Sequence, residues 1–341
     1  MKRFAKIMSV LFAAILAVSV FAFAAETEEE KTYVVYPKKT VSLFSAREKA
    51  PEYMVIGEEE LNMLLEEGLV ESYRETANGV LLENEENVDP NWDIEVVKAF
   101  DVHDEYTGEG IRIGIIDSGV DYGHANFLIC DQEGNAISTR VLTGTNYLTE
   151  ESGWVEKVVN GKEITESATK DLLGHGTMVA GKVAAQIQPK IILNGNEYVN
   201  YGVSGVAPRA TIIPLKVTDE KSVKDPYVTR AIRDAVDVYD CDVINISIGF
   251  YNRTEEEKKA IEDMKEAIDY AVGKGVTVVA SVGNDGTGTL MYPAAFDNVI
   301  GVGATDNDGN VWVNVNPAGG SQKNKSVFIT APGAGIVSTW S

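Results

Sequence analysis

The stretch Gly174–Gly181, which reads Gly-His-Gly-Thr-Met-Val-Ala-Gly, sets a histidine between two glycines just before an apolar pattern with helical spacing. The glycines leave the imidazole of His175 uncrowded, so this side chain is expected to project from a rigid junction between a loop and a helix. A histidine in such a place is available for proton transfer. A single histidine is more often a structural residue, however, and the other two, His103 and His124, lie in polar sequence without such a frame. The interpretation of His175 therefore depends on the motifs around it.

Strand and helix patterns alternate along the chain from about Trp92 onward. Continuous apolar strands are predicted at Ile111–Ile116, Thr211–Val217, Val243–Ile248, Val276–Ala280, Val299–Ala304 and Val327–Thr330, and helices at Tyr227–Val238 and from a capping box of Thr254 and Glu257 to Gly273. Continuous apolar strands separated by helices are typical of a parallel sheet that is covered on both faces. The sequence therefore predicts an α/β fold with a doubly wound, mainly parallel sheet and helices on both faces.

Polar residues follow three of these strands at the point where each strand ends. Asp117 ends the first strand, Ser247 and Gly249 end the third, and Asn284 comes soon after the fourth. An Asp or Asn after a strand is often only a turn former or a helix cap. Because working residues collect past the carboxyl ends of parallel strands, the combination with His175 predicts one cleft.

The first 24 residues have the pattern of a signal peptide. Three basic residues precede an apolar run over residues 7–23, and small residues near Ala24 are typical of a cleavage site. Residues 1–24 are therefore interpreted as a secretory signal, with an uncleaved membrane anchor as the alternative. A secreted or extracellular protein is expected, and association with the cell surface through a further carboxyl-terminal region stays open.

Residues 25–88 look like a small, separate α+β module. Strands are predicted at Thr32–Tyr36 and Val70–Tyr73 and a short helix at Glu58–Glu67, and the polar stretch Asn84–Pro90 is interpreted as a linker. The module has few apolar residues for an independent core. After a secretion signal it is interpreted as a removable prosegment, with an ordinary accessory domain as the alternative, and residues 89–341 form the main domain.

Charge and composition limit the classes of partner. The 341 residues carry a net charge of −22, and residues 26–90 contribute 17 acidic against 6 basic side chains. Nucleic acid and anionic membrane surfaces are poor partners for such a chain, because phosphate binding needs a basic surface. The 2 cysteines exclude a disulfide scaffold. Cys241 is predicted to be a buried small side chain, while a single bridge to Cys130 stays open.

The motifs occur in the same order as in the subtilisin-like serine proteases, the subtilases. Ile115–Asp121 (Ile-Ile-Asp-Ser-Gly-Val-Asp) resembles the aspartate motif of that family, and His175–Gly181 resembles its histidine motif. Further landmarks are similar at Gly205–Pro208, Val243–Gly249, Gly283–Asn284, Tyr292–Ala294 and Ala331–Gly333. The resemblance covers nearly everything from residue 92 onward, and such an ordered set is far more specific than a lone aspartate motif.

This resemblance implies a serine endopeptidase whose catalytic residues follow the chain order Asp, His, Ser. It implies that His175 is the general base, that Asp117 fixes the tautomer of its ring, and that Asn284 donates to the oxyanion. The amino end of a helix disfavours a charged imidazolium, and Asp117 would offset that effect.

The resemblance also implies how a substrate is held. Ser247, Ile248 and Gly249 would pair with the substrate backbone as an added strand, and Gly283 would lie beside them. The implied partners are peptide or protein substrates and the chain's own prosegment. No cofactor is required for this chemistry.

The nucleophile of the family is not found in these 341 residues. It lies in a Gly-Thr-Ser-Met-Ala motif after the Ala-Pro-Gly landmark, and the sequence ends at Ser341, shortly after Gly333. Ser338 and Ser341 lack the flanking small residues of a nucleophile-bearing helix. We therefore expect a chain truncated before the nucleophile, with one face of the sheet incompletely covered and no activity of its own.

Metals are only weakly indicated. Subtilases often bind calcium, but this chain has Asn126 where the family tends to have an aspartate, and the insertion over residues 187–201 departs from the calcium loop. Structural calcium stays plausible and unplaced. Asp306–Asn310 fails the EF-hand spacing and is predicted to form a hairpin turn. The chain has no His-Glu-x-x-His motif for zinc, and Gly301–Gly303 lacks the third glycine of a dinucleotide site.

Two hypotheses from different classes follow. The first is a secreted serine endopeptidase with a prosegment, of which this chain is the amino-terminal part. The second is a non-catalytic peptide-binding pseudoprotease or an inactive truncated product that keeps Asp117, His175 and Asn284 as relics. Retention of all three favours the enzyme, because a binding module has no chemical need for them.

Overall fold

The computed structural model describes residues 32–37, 54–57, 70–75 and 89–341, apart from 160–161, 188–190, 194–195, 199–201, 220–222 and 316–317. The described residues divide into two compact units, with the boundary between residues 87 and 88. The predicted helix at Glu58–Glu67 and residues 1–24 lie outside the described residues.

The small unit is a three-stranded antiparallel sheet. In it β1 (Thr32–Pro37) lies between β2 (Met54–Gly57) and β3 (Val70–Glu75). The two strands predicted for this region are confirmed. Its role as a prosegment stays a prediction.

An eight-stranded sheet organises the large unit. Its strand order is β19-β16-β15-β14-β4-β13-β7-β8, and all neighbouring pairs are parallel except β7 with β8. The strands of the large unit are β4 (Arg112–Asp117), β5 (Leu128–Cys130), β6 (Ala136–Thr139), β7 (Thr145–Asn146), β8 (Glu151–Ser152), β9 (Trp154–Val159), β10 (Lys162–Ser167), β11 (Ile191–Leu193), β12 (Asn196–Tyr198), β13 (Thr211–Lys216), β14 (Val243–Ile246), β15 (Thr277–Ser281), β16 (Ile300–Thr305), β17 (Val313–Val315), β18 (Ala318–Gly320) and β19 (Ile329–Pro332). The four pairs β5–β6, β9–β10, β11–β12 and β17–β18 form antiparallel hairpins outside this sheet. The predicted mainly parallel sheet is confirmed.

Two predicted strands differ from the structure by two residues, and the other four by one residue. The strand predicted to run to Ile248 ends at Ile246, which is its last residue paired with the neighbouring strands β4 and β15. The strand predicted at Val327–Thr330 begins only at Ile329. A turn occupies its expected start, since Asn324 accepts hydrogen bonds from the backbone N–H groups of Ser326 and Val327. The hydrophobic pattern alone misplaced these limits because a strand needs a paired neighbour.

Helices cover both faces of the sheet. They are α1 (Trp92–Val96), α2 (His175–Ala184), α3 (Asp225–Asp237) and α4 (Glu255–Gly273). One buried apolar cluster joins α1 and α2 to the sheet, and a second joins α3 and α4 to the opposite face. The doubly wound arrangement is therefore confirmed.

The start of α4 follows the predicted capping box. The Thr254 hydroxyl accepts from the N–H of Glu257 at 3.1 Å, and the Glu257 carboxylate accepts from the N–H of Thr254 at 2.9 Å. Within the described ranges, no helix is long and apolar enough to cross a membrane.

Both cysteines are free thiols. Cys241 is buried between β4 and α3, as predicted, and Cys130 is partly exposed. Burial raises the pKa of the Cys241 thiol to about 12, so this thiol stays protonated and behaves as a small apolar group.

Candidate active site

The predicted histidine and aspartate meet at the carboxyl edge of the sheet. Asp117 is the last residue of β4, and His175 is the first residue of α2. The Nδ1 atom of His175 lies 2.7 Å from Oδ1 of Asp117. The Asp117 side chain is 2 % exposed and the His175 side chain 25 % exposed. A buried carboxylate thus orients an imidazole that solvent can still reach, which is the geometry of a held general base.

The position of His175 depends on how α2 begins. Gly174, which precedes it, has φ of 83° and offers no side-chain cap. The cap comes instead from Asp171, whose carboxylate accepts hydrogen bonds from the N–H of Gly174 at 2.9 Å and of Thr177 at 2.8 Å. The Ser118 hydroxyl donates to Asp171 and accepts from the N–H of Gly176, both at 2.9 Å. Asp171 therefore ties the helix start to the residue after Asp117.

Gly176 allows the helix to approach the strand end. A Cβ at this position would lie 2.0 Å from the carbonyl oxygen of Gly119 and 3.2 Å from Cβ of Asp117. Any larger residue would push α2 away from β4. The glycine after the histidine is thus required for the short contact between His175 and Asp117.

Sequence reasoning missed Asp171. Its signal was available, because an acidic residue just ahead of a predicted helix is a typical cap. The side chain is buried, with 4 % exposure, and it lies close enough to His175 to act on its charge.

The pKa of His175 is raised above its ordinary value of 6.5. Burial is the largest single effect and favours the neutral ring, but the attraction and hydrogen bond of Asp117, with the charge of Asp171, outweigh it. The effect expected from the helix terminus stays a prediction.

The predicted substrate residues lie on the next two strands of the same edge. The order β4-β14-β15 places Asp117, Ser247 and Asn284 after three adjacent parallel strands. Ser247, Ile248 and Gly249 continue beyond β14 without regular strand pairing, and each is partly exposed. These residues form an edge that an extended peptide can join.

Asn284 is exposed beside Gly283, whose φ is 101°. Its side-chain amide makes no hydrogen bond to the described part of the chain, whereas its backbone carbonyl accepts from the N–H of Gly320 at 2.8 Å. The backbone is held while the amide can donate to another group.

The segment before the last residue packs on α2. Ser338 and Thr339 donate their hydroxyls to the carbonyl oxygens of Met178 and Thr177, each at 2.6 Å. The indole of Trp340 lies against Gly174, where a Cβ would come within 2.3 Å of the ring. Ser338 is thus bonded to the helix backbone.

The surroundings of Asn126 do not fit a calcium ion. Its amide nitrogen donates to the carbonyl oxygens of Gln186 and Val203, at 3.3 and 3.1 Å. The guanidinium of Arg140 donates to the carbonyl oxygens of Asn126 at 2.8 Å and Ala184 at 2.6 Å. A protein cation and an amide already use these oxygens, and Asn126 offers an amide in place of the carboxylate that calcium prefers.

Burial, followed by the charge of Arg209, lowers the pKa of Arg140 to about 10, so the guanidinium is charged at neutral pH. In the described ranges no group of three His, Cys, Asp or Glu side chains is arranged to hold a metal. The loop at Asp306 is a hairpin turn, as predicted, in which this carboxylate accepts from the N–H groups of Asp308 and Asn310.

Residues 108–340 match the family described as "Subtilase family", and the chain therefore belongs to the subtilases. Among curated relatives, "Subtilisin DY" of Bacillus licheniformis is 31 % identical over 253 residues, which cover 72 % of this chain and 73 % of that protein. "Major intracellular serine protease" of Bacillus subtilis (strain 168) is 30 % identical over 239 residues, covering 68 % of this chain and 60 % of that protein.

One solved structure supports the fold. "Crystal Structure of a Lanthipeptide Protease" matches with a TM-score of 0.50 and 24 % identity, over 71 % of this chain and 61 % of that one. The chain spans about three fifths of the length of the Bacillus subtilis relative.

Proposed function

We propose that this protein is a serine endopeptidase in which Asp117 and His175 activate a serine that none of these 341 residues supplies. The observation that carries the proposal is the 2.7 Å contact between a buried carboxylate and a partly exposed imidazole at the carboxyl edge of the sheet. An ion pair with a purely structural role has no need of an imidazole that solvent can reach.

The proposed chemistry follows from the orientation of the ring. Because Nδ1 of His175 is bound to Asp117, Nε2 is the atom that takes the serine proton as the serine oxygen bonds to the peptide carbonyl carbon. The same proton passes to the leaving amine as the carbon–nitrogen bond breaks. Water then attacks the acyl carbon and gives its proton to Nε2, which passes it to the serine oxygen as the acyl–oxygen bond breaks, while Asp117 holds the ring in its orientation.

Asn284 is proposed to stabilise the oxyanion that forms during each attack. Its exposed amide follows β15, one strand away from the extended residues after β14. A donor that is aimed at developing charge typically contributes a rate factor of about 100 to 1,000. The substrate is proposed to lie along Ser247, Ile248 and Gly249 as an added strand.

The protein is further proposed to be secreted with residues 1–24 as signal peptide and to be activated by removal of residues 25–88. The large unit makes buried contacts from Asn91 onward: this side chain accepts from the N–H of Ser204 at 2.7 Å and donates to the carbonyl of Gly202 at 2.6 Å. A mature amino terminus between about Leu82 and Trp92 is expected from the sequence, and these contacts support cleavage before Asn91, between about Leu82 and Pro90.

A fluorophosphonate probe tests the activity, because it labels only an activated serine. The coding DNA is first sequenced past the codon for Ser341, and the protein is expressed with whatever frame follows. Labelling is expected in the secreted protein after its prosegment is removed. It should be lost in His175→Ala and kept in the matched control His103→Gln, whose ring contacts the carbonyl of Val206. A folded, processed protein that stays unlabelled would favour the peptide-binding alternative.

A further inference from the structure

We propose that Met291 restricts this protease to substrates with a small, uncharged side chain on the residue whose carbonyl is attacked. The inference rests on the proposed function and adds the class of substrate. It concerns the recess between the residues that follow β14 and those that follow β15, that is, 247–249 and 282–284.

The side chain of Met291 lies between the two glycines that border this recess. A Cβ on Gly249 would lie 2.6 Å from Cε of Met291, and a Cβ on Gly283 would lie 2.3 Å from its Sδ. Real Cβ atoms essentially never approach other atoms within 3.0 Å. The thioether therefore rests against both backbones and fills the space that the absence of two side chains creates.

The backbone around Met291 is held in place. The next residue, Tyr292, exchanges two hydrogen bonds with Phe250, at 2.8 and 2.9 Å, and the carbonyl of Met291 accepts from the N–H of Ala295 at 2.9 Å. Met291 is only partly buried. It is thus fixed at its backbone and faces the recess instead of the apolar core.

The path of a substrate leads into this space. A peptide that pairs with residues 247–249 and directs its reactive carbonyl to the amide of Asn284 brings the side chain of the same residue next to Gly283. The glycines at 249 and 283 would admit a large side chain from the substrate, but the thioether of Met291 takes up that volume. We therefore expect only small side chains, those of glycine, alanine and serine, to be accepted next to the thioether.

The charge of the recess narrows the class further. A second side chain next to Gly283 is Gln322, whose Cγ would lie 3.1 Å from a Cβ at that glycine. Gln322 is neutral, 1 % exposed, and bonded through its oxygen to the N–H of Thr287 at 2.7 Å. Neither Met291 nor Gln322 offers a counter-charge, so an acidic or basic side chain gains nothing there.

Peptide substrates that differ only at the attacked residue test the proposal. We expect the processed, full-length enzyme to cleave after alanine at least about tenfold more efficiently than after phenylalanine. Met291→Gly should raise kcat/KM for the phenylalanine peptide by about 10- to 100-fold, with little change for alanine. Met291→Leu, which keeps the volume, should keep the preference. Equal cleavage after both residues by the unchanged enzyme, or no gain in Met291→Gly, overturns the proposal.

Fluorophosphonate labelling separates this inference from the proposed function. A labelled enzyme that prefers phenylalanine refutes the role of Met291 and leaves the protease intact. If the protein is not labelled, the same two peptides are compared as free acids by titration calorimetry. The alanine peptide should then bind at least about tenfold tighter, with the difference lost in Met291→Gly. Equal affinity, or no binding of either peptide, contradicts the inference.

Discussion

The ion pair between Lys182 and Asp93 should dominate the stability of the junction between α1 and α2. Both side chains are 0 % exposed, and Nζ of Lys182 lies 2.9 and 3.2 Å from the two carboxylate oxygens. Burial is the main cause that lowers the pKa of Lys182 and raises that of Asp93, so each charge is costly without the other. Lys182→Met leaves a buried carboxylate unpaired, which costs about 3–5 kcal/mol.

For a domain of this size, that loss corresponds to a fall in Tm of about 6–20 °C. The double variant Asp93→Leu with Lys182→Met should recover most of it, because two apolar side chains leave no charge to desolvate. Thermal unfolding is followed by circular dichroism at one scan rate, in a His175→Ala background that prevents self-cleavage.

The matched control is Lys258→Met, which removes an exposed pair with Glu255 and should cost at most about 1 kcal/mol. A Tm of Lys182→Met equal to that of the control would refute this reasoning. The reasoning would also be refuted if the fall in Tm of the double variant equalled the sum of the falls in the two single variants.

Three further predictions concern the chemistry of the site. The pKa of His175 is raised above 6.5, and only the neutral ring accepts a proton. The value of kcat/KM should therefore rise with pH, with a midpoint above pH 6.5. A midpoint at or below pH 6.5 contradicts this prediction. Asp171→Asn removes a negative charge near the ring and should lower the pKa of His175 in a titration of carbon-13-labelled histidine, to which these 341 residues contribute three side chains. An unchanged midpoint argues against that role. Asn284→Ala should lower kcat by about 100- to 1,000-fold with a smaller change in KM, and an unchanged kcat removes Asn284 from the oxyanion site.

The strand pattern was sufficient for the sheet and for the edge at which Asp117, Ser247 and Asn284 lie, whereas the contact of His175 with Asp117 was expected from the resemblance to the subtilases. Parallel strands end at one edge, so a polar residue after each strand can be placed without knowledge of any side-chain contact. The capping box of Thr254 and Glu257 was predictable for a similar reason, because its partners are three residues apart.

The remaining features depend on residues far apart in the chain. Met291 reaches the recess because Tyr292 pairs with Phe250, and no local pattern indicates that pairing. Arg140 meets the carbonyl oxygens of Asn126 and Ala184 only after α2 has packed on the sheet. The strand limits at Ile246 and Ile329 depend likewise on which residues pair with a neighbouring strand.

Arg140 has a consequence for the conditions under which the fold persists. A bound ion stabilises a protein in proportion to the logarithm of its free concentration, and dilution or a competing chelator removes it. The guanidinium of Arg140, unlike a bound ion, is part of the chain, so it cannot dissociate from the protein when the solution is diluted or a chelator is added. The contact between the Asn126 segment and the end of α2 is therefore expected to be independent of the free concentration of divalent cations.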